Sequence, residues 1–179
     1  MTDQATISPG PSTSADRPLY EGRINGFAGK SAEGRQQELV DREELRELTA
    51  IYAHRAAQGG VSIDDLFTDD GAMIFHYPGQ PAVEARGRAA LDEMFKGLAD
   101  ATNRPLAMIH NNLVRIDGDE AEGICSIELR MILDGKSMIG SGYYKDRMRR
   151  VDGTWKFVVR DMNFIHWVPI QKGWADGPM

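Results

Sequence analysis

A single cysteine, Cys125, excludes an internal disulfide, and the few histidines show none of the close spacing of a zinc site. A reducing, cytoplasmic setting is the expectation. No run of about 18 apolar residues occurs, and no basic start leads into an apolar segment, so neither a membrane span nor a secretory leader is expected. Positive charge is short as well. The chain has 21 Lys and Arg against 27 Asp and Glu, and its formal net charge of −6 disfavours a nucleic-acid surface. The one dense basic group, Lys145, Arg147, Arg149 and Arg150, falls on a predicted strand and reads as a solvated outer face. A phosphate-cradling glycine loop, a nucleophile elbow and a metal motif are all missing. Nucleotide chemistry, serine hydrolysis and metal catalysis are therefore disfavoured, and no cofactor is expected.

What is present fits one globular core: 179 residues, 41% apolar and 27% charged. Residues 1–37 read as a flexible tail and arm, with Ser, Thr, Pro and Gly dominating the first sixteen. The domain spans 38–170, and 171–179 is a C-terminal tail. Leu45, Leu48, Ile51, Tyr52 and Ala56 recur at three- and four-residue spacing, predicting a helix from Asp41 to about Ala57, with Asp41 as its cap and Gly59-Gly60 as its stop. A short turn at Ile63–Phe67, a strand at Ala72–Tyr77, a partner at Val83–Arg86 and a second amphipathic helix at Arg88–Ala101 follow.

The last seventy residues hold four alternating runs separated by Asp117-Gly118, Asp134-Gly135 and Asp152-Gly153, a strong signal for a four-stranded antiparallel meander. Alternation assigns the inner face: Cys125, Ile127 and Leu129 on the second strand, Tyr144, Asp146 and Met148 on the third. The same rule puts His110 and Asn112 inward on the first strand, and Phe157, Val159, Asp161 and Asn163 inward on the last. With each Asp-Gly pair central in its turn, His110 faces Cys125, Cys125 faces Tyr144, and Tyr144 faces Asp161. Strands about 4.8 Å apart then separate His110 from Asp161 by roughly 14 Å, a gap for a ligand rather than a direct pair.

The order of elements, together with Leu48-Thr49-Ala50-Ile51-Tyr52, Leu66-Phe67-Thr68-Asp69-Asp70-Gly71, Arg86-Gly87-Arg88, Ile116-Asp117-Gly118-Asp119-Glu120-Ala121, Gly142-Tyr143-Tyr144-Lys145-Asp146, Asp152-Gly153-Thr154-Trp155 and Arg160, resembles the SnoaL-like branch of the nuclear transport factor 2-like superfamily over about residues 38–168. The resemblance implies an α+β cone, a curved sheet closed by N-terminal helices around a deep pocket. It also implies cofactor-free acid–base chemistry on small, largely apolar molecules. Scytalone dehydratase, ketosteroid isomerase, polyketide cyclases and some diarylpropane formaldehyde lyases look like relatives. Many members place an Asp five residues after the helix tyrosine, where this chain has Ala57, and the dehydratase histidine falls in the stretch Ala107-Met108.

The candidate catalytic residues are therefore His110, as an imidazole titrating near neutrality, and Asp161, as an inward carboxylate. Tyr52 and Arg55 would stabilise a developing negative charge. Tyr144, Asn112, His76, Trp167 and Phe157 are candidates for substrate contact. Each has a plain structural alternative: a hydrogen-bonded core histidine or tyrosine, an arginine reaching to solvent, a carboxylate paired to Arg160, aromatic core packing. Two functional readings remain. One is a cofactor-independent lyase or isomerase performing dehydration, formaldehyde loss or a double-bond shift on an aromatic, polyketide or steroid-like compound, as in aromatic catabolism. The other is a non-catalytic ligand-binding or dimerisation module. Outer-face charges such as Glu128, Arg130 and Arg147 suggest a homodimer or homotrimer.

Overall fold

The computed structural model describes residues 27–58, 61–98 and 105–171; the tail expected at 1–16, the Gly59-Gly60 stop and the end of the second helix near Ala101 lie outside the described residues. Helix α1 runs Ala32–Gln58, well ahead of the predicted Asp41 start. Ser31 opens it, its Oγ accepting the Gly34 amide N–H at 3.1 Å and satisfying one of the free donors of the first turn. The early turns look like an arm because charge, not an apolar stripe, ties them down. Glu38 pairs with Lys30 and, at 2.6 Å, with Arg42, whose Nη1 donates to the Val114 carbonyl at 3.1 Å. Asp41 is no cap: it is a buried mid-helix residue that accepts a bond from Arg150 Nη2 at 2.7 Å. The buried face carries Leu45, Leu48 and Tyr52, each leucine contributing about 1.5–3 kcal/mol by leaving water. Ile51, expected in that stripe, is exposed.

A 3-10 turn, Asp64–Leu66, leads into β1 (Phe67–His76) and β2 (Val83–Arg86), then α2 (Arg88–Leu98) and the meander β3 (Leu106–Asp117), β4 (Glu120–Leu133), β5 (Lys136–Val151) and β6 (Thr154–Pro169). All six strands form one curved sheet in the order β2-β1-β6-β5-β4-β3, antiparallel except where β1 lies parallel to β6. The fold is the expected α+β cone. Its core lies between α1, α2 and the inner face of the sheet, with Leu45, Phe67, Leu91 and Phe157 wholly buried.

Two of the three Asp-Gly turns behave as read. Leu133 pairs with Lys136 and Val151 with Thr154, and Asp134-Gly135 and Asp152-Gly153 all have positive φ, the type I′ pattern. At the first turn Asp117 pairs with Glu120, so Gly118-Asp119 are central and the register slips by two residues. A slip of two preserves which face each residue takes; an odd slip does not. The odd slips come from bulges. In β3, Asn111 and Asn112 together stand opposite Cys125, and Asn111 takes the left-handed φ of 50° that asparagine tolerates better than most residues. In β6, Val158 is extra beside the Arg147–Met148 step and Ile165 beside Ser141–Gly142. No bulge interrupts β4–β5, and Cys125 faces Tyr144 as predicted.

These single insertions overturn the face assigned to His110 on β3 and to Val159, Asp161 and Asn163 on β6. His110 pairs with Ser126, not Cys125, and is exposed. Tyr144 pairs with Met162, not Asp161, and Arg160, the outward residue of a regular strand, is buried at 0% exposure. Among the described residues no helix is long and apolar enough to cross a membrane.

Candidate ligand pocket

The inner face holds a cavity of about 50 Å³ between α1, β1, α2 and the meander. Its walls are apolar: Ala56, Ile63, Phe75 and Phe95 on one side, Ala107, Leu129 and Met131 on the other, with Tyr77 alongside. Tyr52 and Tyr144 supply the deep polar atoms, while Arg55, Val61 and Pro105 form the more open rim. An engineered cavity that accepts benzene is about 150 Å³, so a ring enters here only if flexible wall residues such as Met131 and the neighbouring Met94 give way.

Behind the two phenols lies the most unusual group in the molecule. The Arg160 guanidinium carbon sits 4.2 Å from the Tyr52 ring centroid, 3.9 Å from that of Tyr144 and 4.5 Å from that of Phe157. Such stacking replaces part of the lost hydration of a buried cation. Its charge partner is Asp146, also buried, with Nη1 3.8 Å from Oδ2, too long for a strong hydrogen bond. Asp146 Oδ1, Trp155 Nε1, and Arg160 Nε and Nη1 have no protein hydrogen-bond partner among the described residues. Burial pushes the Asp146 carboxyl up to about 6; the Arg160 charge pulls it down, and nearby Asp161 adds to the rise. For Arg160 burial, the largest influence, acts downward, but Asp146 together with Tyr144, Cys125 and Tyr52 outweighs it and the net direction is up, so this guanidinium stays charged.

Burial also raises the pKa of Tyr52 against the opposing charge of Arg160, and raises Tyr144 well above the usual phenol range. Both are thus neutral donors near pH 7. Tyr52 Oη reaches the Met73 sulfur at 3.8 Å, a weak acceptor that a ligand oxygen outcompetes, and interacts with the Tyr144 hydroxyl beside it. Cys125 lies against the same cluster with its thiol pushed up to about 12 by burial, which makes it a small core residue and no nucleophile.

The other expected site residues lie elsewhere. Arg55 reaches the pocket rim, its Nη1 donating to Asp65 Oδ1 at 2.7 Å and to the Ser62 carbonyl at 3.3 Å. His110 and Asn112 line a separate groove between α1 and β3, along with His54, and Asn112 Nδ2 donates to Thr49 Oγ1 at 3.2 Å. Asp161 does not face the cavity. Its Oδ1 lies 2.9 Å from His76 Nε2, and Asn163 Nδ2 donates to it at 3.2 Å, so His76 and Asp161 meet each other rather than a ligand in the cavity. Phe157 is core behind Tyr52 and Phe67, and Trp167 packs edge-on against Tyr77 and at a tilt against Phe164. Arg160 is the functional candidate that alternation concealed. Its sequence signals were its own place among the residues that carry the family resemblance and Asp146, an inward carboxylate that needed a cation. Removal of His110 from the cavity carries a consequence: His110→Ala is expected to change stability by no more than about 0.5 kcal/mol, as for other exposed positions, and to leave ligand affinity unaltered in a binding titration.

Set against known proteins, residues 37–161 match the SnoaL-like domain model. No functionally curated protein matches the chain by sequence. Among solved structures, Rv3472 of Mycobacterium tuberculosis, a protein of unknown function, is 27% identical, with 82% of this chain and 88% of that one aligned at a TM-score of 0.66. A candidate scytalone dehydratase from Novosphingobium aromaticivorans is 19% identical over 75% of this chain and 91% of its own, with a TM-score of 0.66. A hexachlorocyclohexane dehydrochlorinase, LinA type 2, is 16% identical over 76% and 93%, again at 0.66. At the last two identities the likeness is one of fold. The family match covers most of the chain and the fold agrees with it: this protein belongs to the SnoaL-like domain family.

Proposed function

We propose that the chain is a cofactor-independent lyase or isomerase acting on a small, single-ring aromatic or enone-type compound. The carrying observation is the Arg160 cation stacked behind two neutral phenols that front an apolar cavity. Tyr52 and Tyr144 donate to the substrate's carbonyl or phenolic oxygen. As a proton leaves the adjacent carbon, negative charge gathers on that oxygen, and the dry surroundings magnify its attraction to the donors and to Arg160. The described lining of the cavity carries no carboxylate or imidazole of its own, so the acceptor assigned in this reading is Asp146, buried behind the phenols on the same strand face as Tyr144, with a pKa raised to about 6. The small cavity favours a single ring over a polycycle. The fold shared with a candidate scytalone dehydratase and a dehydrochlorinase supports the same chemistry.

A pure binding role is the second reading, and one observation favours it: Ala57 stands where many members of the family are expected to carry an Asp, and the stretch Ala107-Met108 where the dehydratases are expected to carry a histidine. The two part in an ultraviolet-monitored screen of single-ring alcohols and enones without added cofactor. Turnover is expected with wild type and much slower turnover with Tyr144→Phe, and the rate falls as pH drops through about 6, because protonated Asp146 no longer accepts a proton. Saturable binding with no chemistry across the panel would favour the binding role.

A further inference from the structure

Of the described residues lining the pocket, one is charged. Arg55 sits one helical turn beyond Tyr52 on α1, about 4.5 Å further along the axis, and marks the rim as Tyr52 and Tyr144 mark the depth. Both bonds Arg55 makes use Nη1; among the described residues Nε and Nη2 have no hydrogen-bond partner. Its countercharge, Asp65, is 56% exposed, and such a surface pair exchanges readily for another anion. The guanidinium fork matches a carboxylate in two-point geometry.

From this arrangement we propose that the pocket takes a ring carrying a carboxylate, held by Arg55 at the rim, with a phenolic or carbonyl oxygen at its far end between Tyr52 and Tyr144. The inference rests on the pocket reading given above and adds the substrate class to it. Arg55 lies in the last turn of α1, where the helix presents partial negative charge. An anion is therefore welcome there only while Arg55 is present. Removing the arginine does more than cancel the preference for an acid; it reverses it.

The test is fluorescence titration of the full-length protein, through its three tryptophans, with 4-hydroxybenzoate, its methyl ester and phenol. Wild type is expected to bind the acid about tenfold more tightly than the ester, equivalent to about 1.4 kcal/mol. Arg55→Met should prefer the ester, and its retained ester binding shows that the variant is folded; Arg55→Lys should keep part of the acid preference. Equal affinity of wild type for acid and ester, or an undiminished acid preference in Arg55→Met, overturns the carboxylate assignment while ester and phenol binding leave the pocket reading intact. Absence of binding by all three compounds overturns both.

Discussion

Asp146→Asn is expected to stabilise the protein at pH 8, by an amount on the order of 2–3 kcal/mol, and to leave stability nearly unchanged near pH 4. The carboxyl is buried, and its folded pKa of about 6 stands above the ordinary 3.8. A pKa raised on folding means that the neutral form is the one the fold favours. The stability it contributes is fully present below about 3.8 and is lost as pH rises through about 6. The difference of about 2 units, at 1.36 kcal/mol each, sets the size of the effect. Asparagine imitates the neutral acid at every pH and so removes the loss. Breaking a buried ion pair ordinarily destabilises, but that rule describes well-made pairs. Here the nearest approach is 3.8 Å, with Asp146 Oδ1 and Arg160 Nη1 both unpartnered, so desolvation outweighs attraction. Arg160→Met should show the opposite sign at pH 8. It removes the cation that holds the Asp146 pKa down, extends the loss of stability to higher pH, and gives up the stacking on Tyr52, Tyr144 and Phe157. Urea unfolding of both variants at pH 4.5 and pH 8 decides it: a strongly destabilised Asp146→Asn at pH 8 would mean that the ion pair prevails. A carboxylate that costs stability at neutral pH is a candidate for retention by function, which ties this measurement to the proposed base.

Much of this architecture is legible in the sequence, and the failures share one physical cause. Strand alternation reads faces correctly as long as the count is unbroken. The run from Cys125 to Leu133 and the turn at Asp134-Gly135 contain no insertion, and the predicted pairing of Cys125 with Tyr144 is observed. One extra residue at Asn111 turns His110 outward, and one at Val158 exchanges Arg160 for Asp161. Asparagine in a left-handed conformation leaves a weak mark in sequence, and a valine bulge leaves none. The candidate site suffered more than the fold, since the fold tolerates an inverted half-strand in the reading while a catalytic assignment depends on the face of one residue. The helix residues Tyr52 and Arg55 escaped this error because α1 keeps its 3.6-residue period without interruption. Its early start was hidden for a different reason: Glu38 and Asp41 are buried by ion pairing with Lys30, Arg42 and Arg150, partners that lie outside the local apolar pattern.

Tyr144→Phe is expected to lower turnover by about 10²–10³-fold, the range seen when one donor to a developing oxyanion is removed. Phenylalanine keeps the ring on which Arg160 stacks 3.9 Å away, and keeps the edge-to-face contact with Tyr52 at 6.1 Å, so the fold should lose less than about 1 kcal/mol. Tyr52→Phe gives up the weak bond to the Met73 sulfur and the interaction with the Tyr144 hydroxyl in the free protein, and its effect should likewise fall on catalysis more than on unfolding. The double variant is the informative one. If both hydroxyls hold the same substrate oxygen, the two losses do not add, because once one donor is gone the other works on a displaced ligand. If they hold different atoms, the losses multiply. Steady-state kinetics on the four proteins, with unfolding curves as the control, separates these cases. A merely binding pocket gives a third pattern: affinity for a phenol or ketone falls by about the 0.5–1.5 kcal/mol of one hydrogen bond per hydroxyl, with no rate to lose. Loss of rate with affinity held, in proteins that unfold like the wild type, is the result that assigns Tyr52 and Tyr144 to the transition state rather than to the resting complex.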